Sequence, residues 1–420
     1  MTGRRRFLRQ LARLVLGATG VMIVRDSHGV AAHGPSRTGS ESEMEPPVTL
    51  FLCGDVMLGR GIDQILAHPS DPALHEDAVR DARKYVALAE AVSGRIPHKV
   101  DDSYVWGDAL AQWQRRRPDV RIVNLETSIT RHDRPWPKGI NYRMDPRNVG
   151  VLTAARIDAC SLANNHVLDW EREGLAETLA TLRAAGIGVA GAGVTRAEAL
   201  APLVLPLSGR GRVLVFAAAT GDAGVPESWD ALATRSGVHR LPDLSAATLA
   251  HIGADIARHK RDRDIVVFSI HWGGNWGYAI EPAQRAFAHG LIDEAGVDIV
   301  HGHSSHHPKA MEVHRDRLVL YGCGDFLNDY EGIGGNEEFR GELGLMYFPR
   351  LRATDGRLRE LILIPTRIRR FRVEQAHGDD ARWLLARLRR ECAPMGCGLE
   401  TRDDGTFALT WTRPAPGERG

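Results

Sequence analysis

The stretch VTLFLCGDVMLGRG (residues 48–61) sets the pattern by which the rest of the sequence is interpreted. An apolar run, residues 48–53, is closed by glycine and then by Asp55. A short continuous apolar run bounded by turn residues is typical of a strand that is buried on both faces. We therefore predict a buried strand here whose carboxyl end presents an ionisable side chain.

Similar apolar runs recur along the chain and alternate with helical patterns. They predict further strands over residues 120–126, 157–164, 187–193, 212–220, 264–273 and 297–303. Between them, residues 170–186 and 282–296 place apolar side chains on one helical face. Strands that alternate with helices indicate an α/β fold.

After residue 309 the sequence predicts strands without intervening helices. Residues 309–326 indicate two strands joined at HRDR (314–317), and residues 341–351 and 360–373 indicate two more. We expect this sheet-rich second half to pack on the α/β first half, which gives a two-sheet sandwich flanked by helices.

Composition is that of an ordinary globular protein. The chain has 420 residues, of which 25% are charged and 43% hydrophobic, with a formal net charge of +1. This balance gives no support for a nucleic-acid partner, and basic runs such as residues 114–119 and 368–374 are typical of solvated faces.

The N-terminal sequence MTGRRRFLRQ resembles a twin-arginine export signal. We interpret residues 1–32 as this signal segment and the Pro/Ser-rich residues 33–47 as a disordered linker. The protein is then exported to a periplasmic or extracytoplasmic location, and an uncleaved segment would tether it to the membrane. The alternative is a disordered basic tail.

The five cysteines do not form a disulfide framework, because no pair has CxxC spacing and the count is odd. Cys53, Cys160 and Cys323 lie in predicted strands, where buried thiols are expected. Cys392 and Cys397 are close enough in sequence to pair.

Five predicted strands end in side chains of the types that can bind metal ions. These side chains are Asp55, Glu126, the group Asn164, Asn165, His166 and Asp169, then His271, and finally His301, His303, His306 and His307. Ligands gather at the carboxyl ends of strands in α/β sheets. Carboxylate, amide and imidazole together favour Mn, Fe or Zn over calcium, and two such ions can share a bridging carboxylate.

Each of these residues also has an ordinary structural explanation. Asp55 suits a turn, Glu126 can cap the segment that follows it, and Asn164 with Asn165 suits a turn. His271 can be a core histidine whose hydrogen bonds are satisfied. We prefer the metal site because all five strand ends would otherwise need a separate explanation.

The motifs at these strand ends resemble those of the capsule-synthesis CapA family, also called the poly-γ-glutamate synthesis family. They are GDVMLGR (54–60), NLE (124–126), LANNHVLD (162–169), IHWG (270–273) and GHSSH (302–306). The resemblance covers residues 48–350 and implies a metallophosphoesterase-like fold, a four-layer α/β/β/α sandwich of two mixed sheets. We expect residues 351–420 to form a strand and helix extension packed on the same domain.

The resemblance also implies roles for individual residues. The expected metal ligands, for one or two divalent ions of Mn, Fe or Zn, are Asp55, Glu126, Asn165, His271, His303 and His306. His166 is the expected general acid or oxyanion stabiliser, and the catalytic set is His166, Asp169 and Arg60. His301 and His307 are expected to be neighbours of the site.

Substrate contacts are expected from Arg60 and from the segment after His271. Arg60 can pair with a phosphate or carboxylate. Trp272, Asn275 and Tyr278 combine flat surfaces with polar tips, as in a polymer or sugar cleft. Surface placement of Arg60 and strand-end packing of the aromatic residues are the alternatives.

Three departures from the phosphoesterase pattern bear on the metal site. His303 and His306 are separated by two serines instead of one residue. Met57 stands where that pattern has a histidine, and a thioether is a poor ligand for hard divalent ions. Glu126 replaces an aspartate. A mononuclear site, or a site that only binds, is therefore compatible with the sequence.

The sequence thus predicts an exported metal-dependent hydrolase or transferase of an envelope polymer. Metal-activated water would attack a phosphoester or a γ-glutamyl amide. The partners are an anionic polymer or such a substrate, and the polymer-synthesis machinery of the envelope. The alternative is a non-catalytic accessory protein that binds or guides an anionic polymer.

Overall fold

The computed structural model describes residues 45–412, with strand β1 (Val48–Val56) inside the larger of its two main sheets. The predicted signal segment 1–32 and most of the predicted linker 33–47 lie outside the described residues. Within residues 45–412, no helix has the length and apolar character needed to cross a membrane.

The strands after β1 are numbered in chain order. They are β2 (Val120–Leu125), β3 (Ser128–Ile129), β4 (Arg143–Met144), β5 (Ala159–Ser161), β6 (Gly188–Ala190), β7 (Ala192–Gly193), β8 (Leu203–Leu207), β9 (Gly211–Ala219), β10 (Gly237–Val238), β11 (Ile265–His271), β12 (Ile299–His303), β13 (Met311–His314), β14 (Arg317–Leu320), β15 (Asp325–Leu327), β16 (Leu343–Leu351), β17 (Leu358–Ile368), β18 (Val373–Gln375), β19 (Cys397–Thr401) and β20 (Phe407–Trp411).

The α-helices are numbered in the same way, and short 3₁₀ turns lie between several elements. They are α1 (Arg60–Ile65), α2 (Arg83–Ser93), α3 (Ala109–Arg116), α4 (Gly150–Ala154), α5 (Glu171–Ala184), α6 (Arg196–Leu200), α7 (Ala246–His259), α8 (Pro282–Asp293) and α9 (Gly378–Cys392).

The larger sheet is mixed and has the order β19-β20-β17-β16-β1-β2-β5-β6. Strands β1, β2, β5 and β6 run parallel, whereas β16, β17, β20 and β19 continue the sheet in antiparallel steps. Strand β15 pairs parallel with the end of β1, and β18 pairs with β17. The C-terminal strands therefore extend the same sheet as β1.

The second main sheet is formed by the middle of the chain and has the order β13-β14-β12-β11-β9-β8. Strands β9, β11, β12 and β14 are parallel, and the antiparallel strands β8 and β13 form its edges. Strands β13 and β14 are joined at Arg315 and Asp316, both of which have positive φ, as the hairpin prediction at HRDR requires.

The α/β class is confirmed, and the predicted helices correspond to α5 and α8. The strands predicted after residue 309 are confirmed in β13, β14, β16 and β17, but they do not form a separate sheet that packs on an α/β first half. Strands from both ends of the described residues build the larger sheet, because β16 pairs with β1 across about three hundred residues, for example Leu351 with Val48. The middle of the chain forms its own sheet.

The two main sheets meet through buried side chains of β1 and β12. His301 on β12 is fully buried, and its Nε2 lies 2.7 Å from the carbonyl oxygen of Cys53 on β1. The core beneath β1 is aromatic, with Phe51 in edge contact with Trp113 and Phe326. This contact places the carboxyl ends of both parallel strand sets in the same region.

All five cysteines are buried free thiols. The pairing considered for Cys392 and Cys397 is therefore not formed. The Sγ atom of Cys392 instead accepts a hydrogen bond from the backbone N–H of Met311 at 3.3 Å.

Candidate functional site

Parallel strand pairing brings the predicted ligands to one location. Asp55 on β1 pairs with Asn124 on β2, and His271 on β11 pairs with His303 on β12. Across the two sheets, the backbone N–H of Ser304 donates to Asp55 Oδ2 at 3.3 Å. The carboxyl ends of the two sheets therefore form a single polar, buried site.

Asp55 lies between two sets of potential metal ligands. In one set it is grouped with His271 and His303, and in the other with His306 and Asp325. All five residues are buried, and within each set the ligand atoms lie within 4.8 Å of one another. This arrangement has the composition of a two-ion site in which one carboxylate is shared.

Asp325 was not among the metal ligands predicted from the sequence. It begins β15, and it pairs in parallel register with Asp55. The signal was present, because Gly324-Asp325-Phe326 repeats the apolar-flanked Gly-Asp pattern of Gly54-Asp55-Val56. Asn328 fixes the Asp325 carboxylate by donating from Nδ2 to Oδ2 at 2.6 Å.

The carboxylates of the site repel one another. Burial, followed by the charge of Asp325, raises the pKa of Asp55 to about 7. Burial and the charge of Asp55 raise the pKa of Glu126 well above its usual range. Glu126 Oε2 is buried and has no hydrogen-bond partner among the described residues. A buried carboxylate oxygen of this kind is stabilised by a cation.

The imidazoles of His271 and His303 also fit a cation. Their Nδ1 atoms lie 2.8 Å apart, and burial holds the pKa of each well below its usual range. Neutral imidazole is the form that binds metals. Together with Asp55 and the unpartnered oxygen of Glu126, these donors suit a divalent transition metal ion.

The remaining predicted ligands lie beside this centre. Glu126 Oε1 is 3.9 Å from His271 Nε2, and Asn165 Oδ1 is 3.1 Å from the same nitrogen. His306 Nδ1 is 2.9 Å from Asp325 Oδ1. Burial lowers the pKa of His306, but the charges of Asp325 and Asp55 outweigh it and raise that pKa overall.

His166 lies at the edge of the centre and forms a group of three polar residues with Asp169 and Lys138. Its Nδ1 lies 2.6 Å from Asp169 Oδ2, and its Nε2 lies 3.7 Å from Glu126 Oε1. The third member, Lys138, was not identified from the sequence, where no motif marks it. Lys138 Nζ lies 2.5 Å from Asp169 Oδ1 and 3.2 Å from His166 Nδ1, and it also contacts the carbonyl oxygen of Asn165.

Lys138 thus compensates the buried Asp169 carboxylate, and Asp169 orients the imidazole of His166. Burial, which outweighs the charge of Asp169, lowers the pKa of His166 to about 4. The imidazole is therefore neutral near pH 7, with Nδ1–H donating to Asp169 and the lone pair of Nε2 facing Glu126.

The other two histidines of the cluster support the site. The Oγ atom of Ser269 lies 3.1 Å from His301 Nδ1 and 2.8 Å from His303 Nε2, so His301 helps to orient His303. His307 Nε2 accepts a hydrogen bond from the backbone N–H of Gly277 at 3.1 Å.

Arg60 does not have the free guanidinium expected of a substrate contact or a catalytic group. It is buried, its Nε and Nη2 atoms bond both oxygens of Asp329, and Nη1 bonds Glu76 and the hydroxyl of Tyr85. Its guanidinium also covers the ring of Tyr142, which is in edge contact with His166. Arg60 therefore anchors the wall behind His166, because all its charge is satisfied internally.

The expected substrate residues after His271 separate into two groups. Trp272 is buried and donates from Nε1 to the carbonyl oxygen of Tyr321, so the prediction of a substrate contact is wrong for this residue. Asn275 is exposed, and its Nδ2 lies 3.0 Å from His306 Nε2. Tyr278 is half-buried against His307.

Met57 is buried in the core, and its backbone N–H donates to Leu327 at 2.8 Å. It contributes no ligand to either set of residues around Asp55. In the second set, His306 and Asp325 supply nitrogen and oxygen donors without it.

Comparisons with known proteins agree on one family. Residues 49–330 match the family described as bacterial capsule synthesis protein PGA_cap. The chain is 47% identical to a probable polyglutamine synthesis accessory protein of Mycobacterium tuberculosis, over 86% of this chain and 96% of that protein. It is 24% identical to the capsule biosynthesis protein CapA of Bacillus anthracis, over 67% of this chain and 60% of that protein.

A third relative is the PGA biosynthesis protein CapA of Bacillus subtilis, which is 26% identical over 58% of this chain and 62% of that protein. The family match includes the segments that carry Asp55, Glu126, His166, His271 and Asp325. The chain therefore belongs to the bacterial capsule synthesis protein family PGA_cap, which includes capsule and polyglutamate synthesis accessory proteins.

Proposed function

We propose that this protein is an exported, metal-dependent hydrolase or transferase that acts on an acidic polymer of the cell envelope. The observation that carries the proposal is the position of Asp55, whose carboxylate is shared by two buried sets of nitrogen and oxygen donors. Burial of so many mutually repelling groups costs stability, and it is therefore not expected of a site whose role is only structural.

The ions would be Mn, Fe or Zn, held by Asp55 with His271 and His303 on one side and with His306 and Asp325 on the other. Glu126 and Asn165 lie close enough to complete the first side. Divalent ions bound there would act as Lewis acids on the scissile group and as a source of nucleophile. The fold we propose is the four-layer phosphoesterase-like sandwich, which the contact between two mixed sheets supports.

The residues of the chain itself would bind and orient the reacting group. Nδ1–H of His166 is held by Asp169, so Nε2 is presented to a group bound against Glu126. From that position His166 can exchange a proton with the leaving group. Lys138 and Asp169 would keep the imidazole in this orientation throughout the reaction.

The bond that is cleaved would be a phosphoester or a γ-glutamyl amide. The second choice follows from the names of the relatives, which are a polyglutamine synthesis accessory protein and two capsule or PGA biosynthesis proteins. The twin-arginine-like N-terminal sequence supports action outside the cytoplasm, beside the machinery that assembles the polymer.

Elemental analysis of protein purified without chelators is the first test. We expect one or two transition-metal ions per chain, and their loss in an Asp55→Ala/His271→Ala variant. Metal-loaded protein is then assayed on phosphoesters and on γ-glutamyl peptides. A folded protein that contains no metal and takes none up on titration would refute the proposal.

The second candidate is an accessory protein that binds or guides an anionic polymer without cleaving it. Met57 favours it, because the phosphoesterase pattern has a histidine at this position. The His166→Ala variant distinguishes the two functions. Turnover that disappears while polymer binding persists supports the enzyme, whereas polymer binding by a parent protein that turns over no substrate supports the accessory role.

A further inference from the structure

A cleft of about 590 Å³ adjoins the His306 side of the candidate metal centre. Trp276, Asn328 and Tyr330 are among the residues that line it. Asn328 is the residue that bonds Asp325, and the rings of Trp276 and Tyr330 both have their centroids 5.3 Å from that of His306. A molecule in this cleft would therefore contact the side chains that support the second set of ligands around Asp55.

The walls of the cleft include apolar, aromatic and amide groups beside charged ones. Val92 of α2 and Ile333 line it and are 63% and 47% exposed, which is high for aliphatic side chains. Trp276 adds a half-buried aromatic face, and Asn336 adds an amide. These groups match a chain that has short aliphatic spacers and planar amide bonds.

Three arginines line the cleft, and they differ in how their charge is compensated. Arg340 and Arg367 share the carboxylate of Asp380, at 2.7 and 2.8 Å. Arg369 is exposed, and among residues 45–412 its guanidinium has no hydrogen-bond or ion-pair partner. Arg369 is therefore available for an anionic group on a ligand.

The acidic residues of the cleft are largely occupied by the protein itself. Glu331 accepts hydrogen bonds from the backbone N–H groups of Arg370 and Phe371, at 2.8 and 2.7 Å, and from the hydroxyl of Ser93. Glu342 pairs with Arg340. Glu337 also lines the cleft, is exposed, and accepts a hydrogen bond from the backbone N–H of Gly335 at 2.9 Å. Among the described residues that line the cleft, Arg369 is thus a cation without an ion pair, beside apolar and amide groups.

We propose that this cleft is the subsite that holds the part of an acidic, amide-linked chain next to the bond placed at the candidate metal centre. The proposal rests on the proposed function for its placement of the reacting bond. Trp276 stacks on an amide plane, Val92 and Ile333 contact the methylene groups, and Arg369 pairs with a carboxylate. The subsite therefore selects a chain in which aliphatic spacers alternate with carboxylates.

Calorimetric titration of the full chain with a γ-linked glutamate oligomer tests the subsite. We expect the Arg369→Gln variant to weaken binding by about fivefold to tenfold, the usual loss for a charge-assisted hydrogen bond. The matched control is Arg183→Gln, which removes the same charge from an arginine that is 70% exposed on α5. This control should bind as the parent does.

A second variant, Ile333→Asp, places a negative charge on the exposed rim and should weaken binding by a similar factor while it leaves the metal content unchanged. An oligomer whose side carboxylates are converted to amides should bind the parent more weakly and should not respond to Arg369→Gln. Equal affinity of parent, Arg369→Gln and Ile333→Asp for the acidic oligomer would overturn the subsite.

The two proposals fail in different measurements. If the protein contains metal and hydrolyses its substrate, but its affinity for the oligomer is unchanged in Arg369→Gln, the proposed function stands and this subsite does not. A metal-free protein that binds the oligomer through Arg369 would retain the subsite without the enzyme. Binding of inorganic polyphosphate through Arg369, with no binding of the glutamate oligomer, would overturn the carboxylate selectivity.

Discussion

Replacing Asp55 with asparagine should change the stability of this protein in opposite directions with and without metal. In chelator, burial, followed by the charge of Asp325, raises the pKa of Asp55 from 3.8 to about 7. At about 1.4 kcal/mol per pKa unit, the ionised carboxylate costs the metal-free fold about 4 kcal/mol.

The sign of the pH dependence follows from the direction of this shift. A carboxyl group whose pKa is raised by folding binds its proton more tightly in the folded state, so the cost is absent below about pH 4 and complete above about pH 7. Asparagine carries no charge at either pH, and its Oδ1 can still accept from Asn124, as Asp55 Oδ1 does. Its Nδ2 replaces the oxygen that accepts from the backbone N–H of Ser304, so the variant loses that hydrogen bond of 3.3 Å.

We therefore expect Asp55→Asn to stabilise the chelated protein by about 2 to 4 kcal/mol at about pH 8 and by little at about pH 4.5. With an unfolding entropy of about 2.1 cal/mol/K per residue, the gain corresponds to a Tm increase of roughly 3–5 °C for a domain of this size.

Addition of Mn or Zn should stabilise the parent but not the variant, and two bound ions should reverse the order of stability. At a free metal concentration of about 100 Kd, bound metal stabilises the parent by about 2.7 kcal/mol per site. This corresponds to a rise in the Tm of the parent of roughly 3 °C per site. The variant lacks the ligand shared by both sets of donors, so metal should leave its Tm unchanged. Differential scanning calorimetry at both pH values, in chelator and in metal, measures all four conditions.

Asp63→Asn is the matched control for this experiment. Asp63 is buried, and burial raises its pKa to about 6, but its carboxylate accepts backbone hydrogen bonds from Ser70 and Asp145 outside the site. This variant should respond to metal as the parent does. An Asp55→Asn protein that is less stable than the parent in chelator at about pH 8 would refute the electrostatic argument.

Three further predictions concern residues around the centre. Lys138→Met should destabilise the protein by about 3 kcal/mol because it leaves the buried Asp169 charge uncompensated, and Asp169→Asn in the same chain should recover much of this loss in a denaturant double-mutant cycle. Metal content should fall in His271→Gln but not in His301→Gln, and metal retained in both variants would exclude His271 as a ligand. Gly54→Ala should lower the Tm and the metal content together, and a variant that matches the parent in both would contradict the tight contact described below.

The sequence was sufficient to predict many of the strands, although not β8, but not how the strands pair. Apolar runs that end in glycine or a polar residue identified β1, β2, β11 and β12, because burial on both faces leaves a clear pattern. Pairing of β16 with β1 leaves no such pattern, since its partner is chosen by contacts distant in sequence. For this reason the predicted strands were correct and their division between two sheets was wrong.

The candidate site shows the same limit at the level of side chains. Position at a strand end correctly placed Asp55 and His271 in one cluster, because parallel strands bring their carboxyl ends to the same edge. It could not show whether Arg60 or Trp272 is free, since the groups that satisfy them lie far away in sequence, at Asp329 and Tyr321. Lys138 was missed for the same reason.

The close approach of two glycines explains why a second set of ligands can form around Asp55. The neighbour of β1 changes from β16 to β15 near Gly54, and there the backbone N–H of Asp55 donates to the carbonyl oxygen of Gly324 at 2.9 Å. A Cβ atom on Gly54 would lie 1.6 Å from that oxygen, so a larger residue would force the strands apart. If the strands separated, Asp325 would move away from Asp55. The second set of potential ligands, Asp55 with His306 and Asp325, would then be lost, and this is the set that supplies donors without Met57.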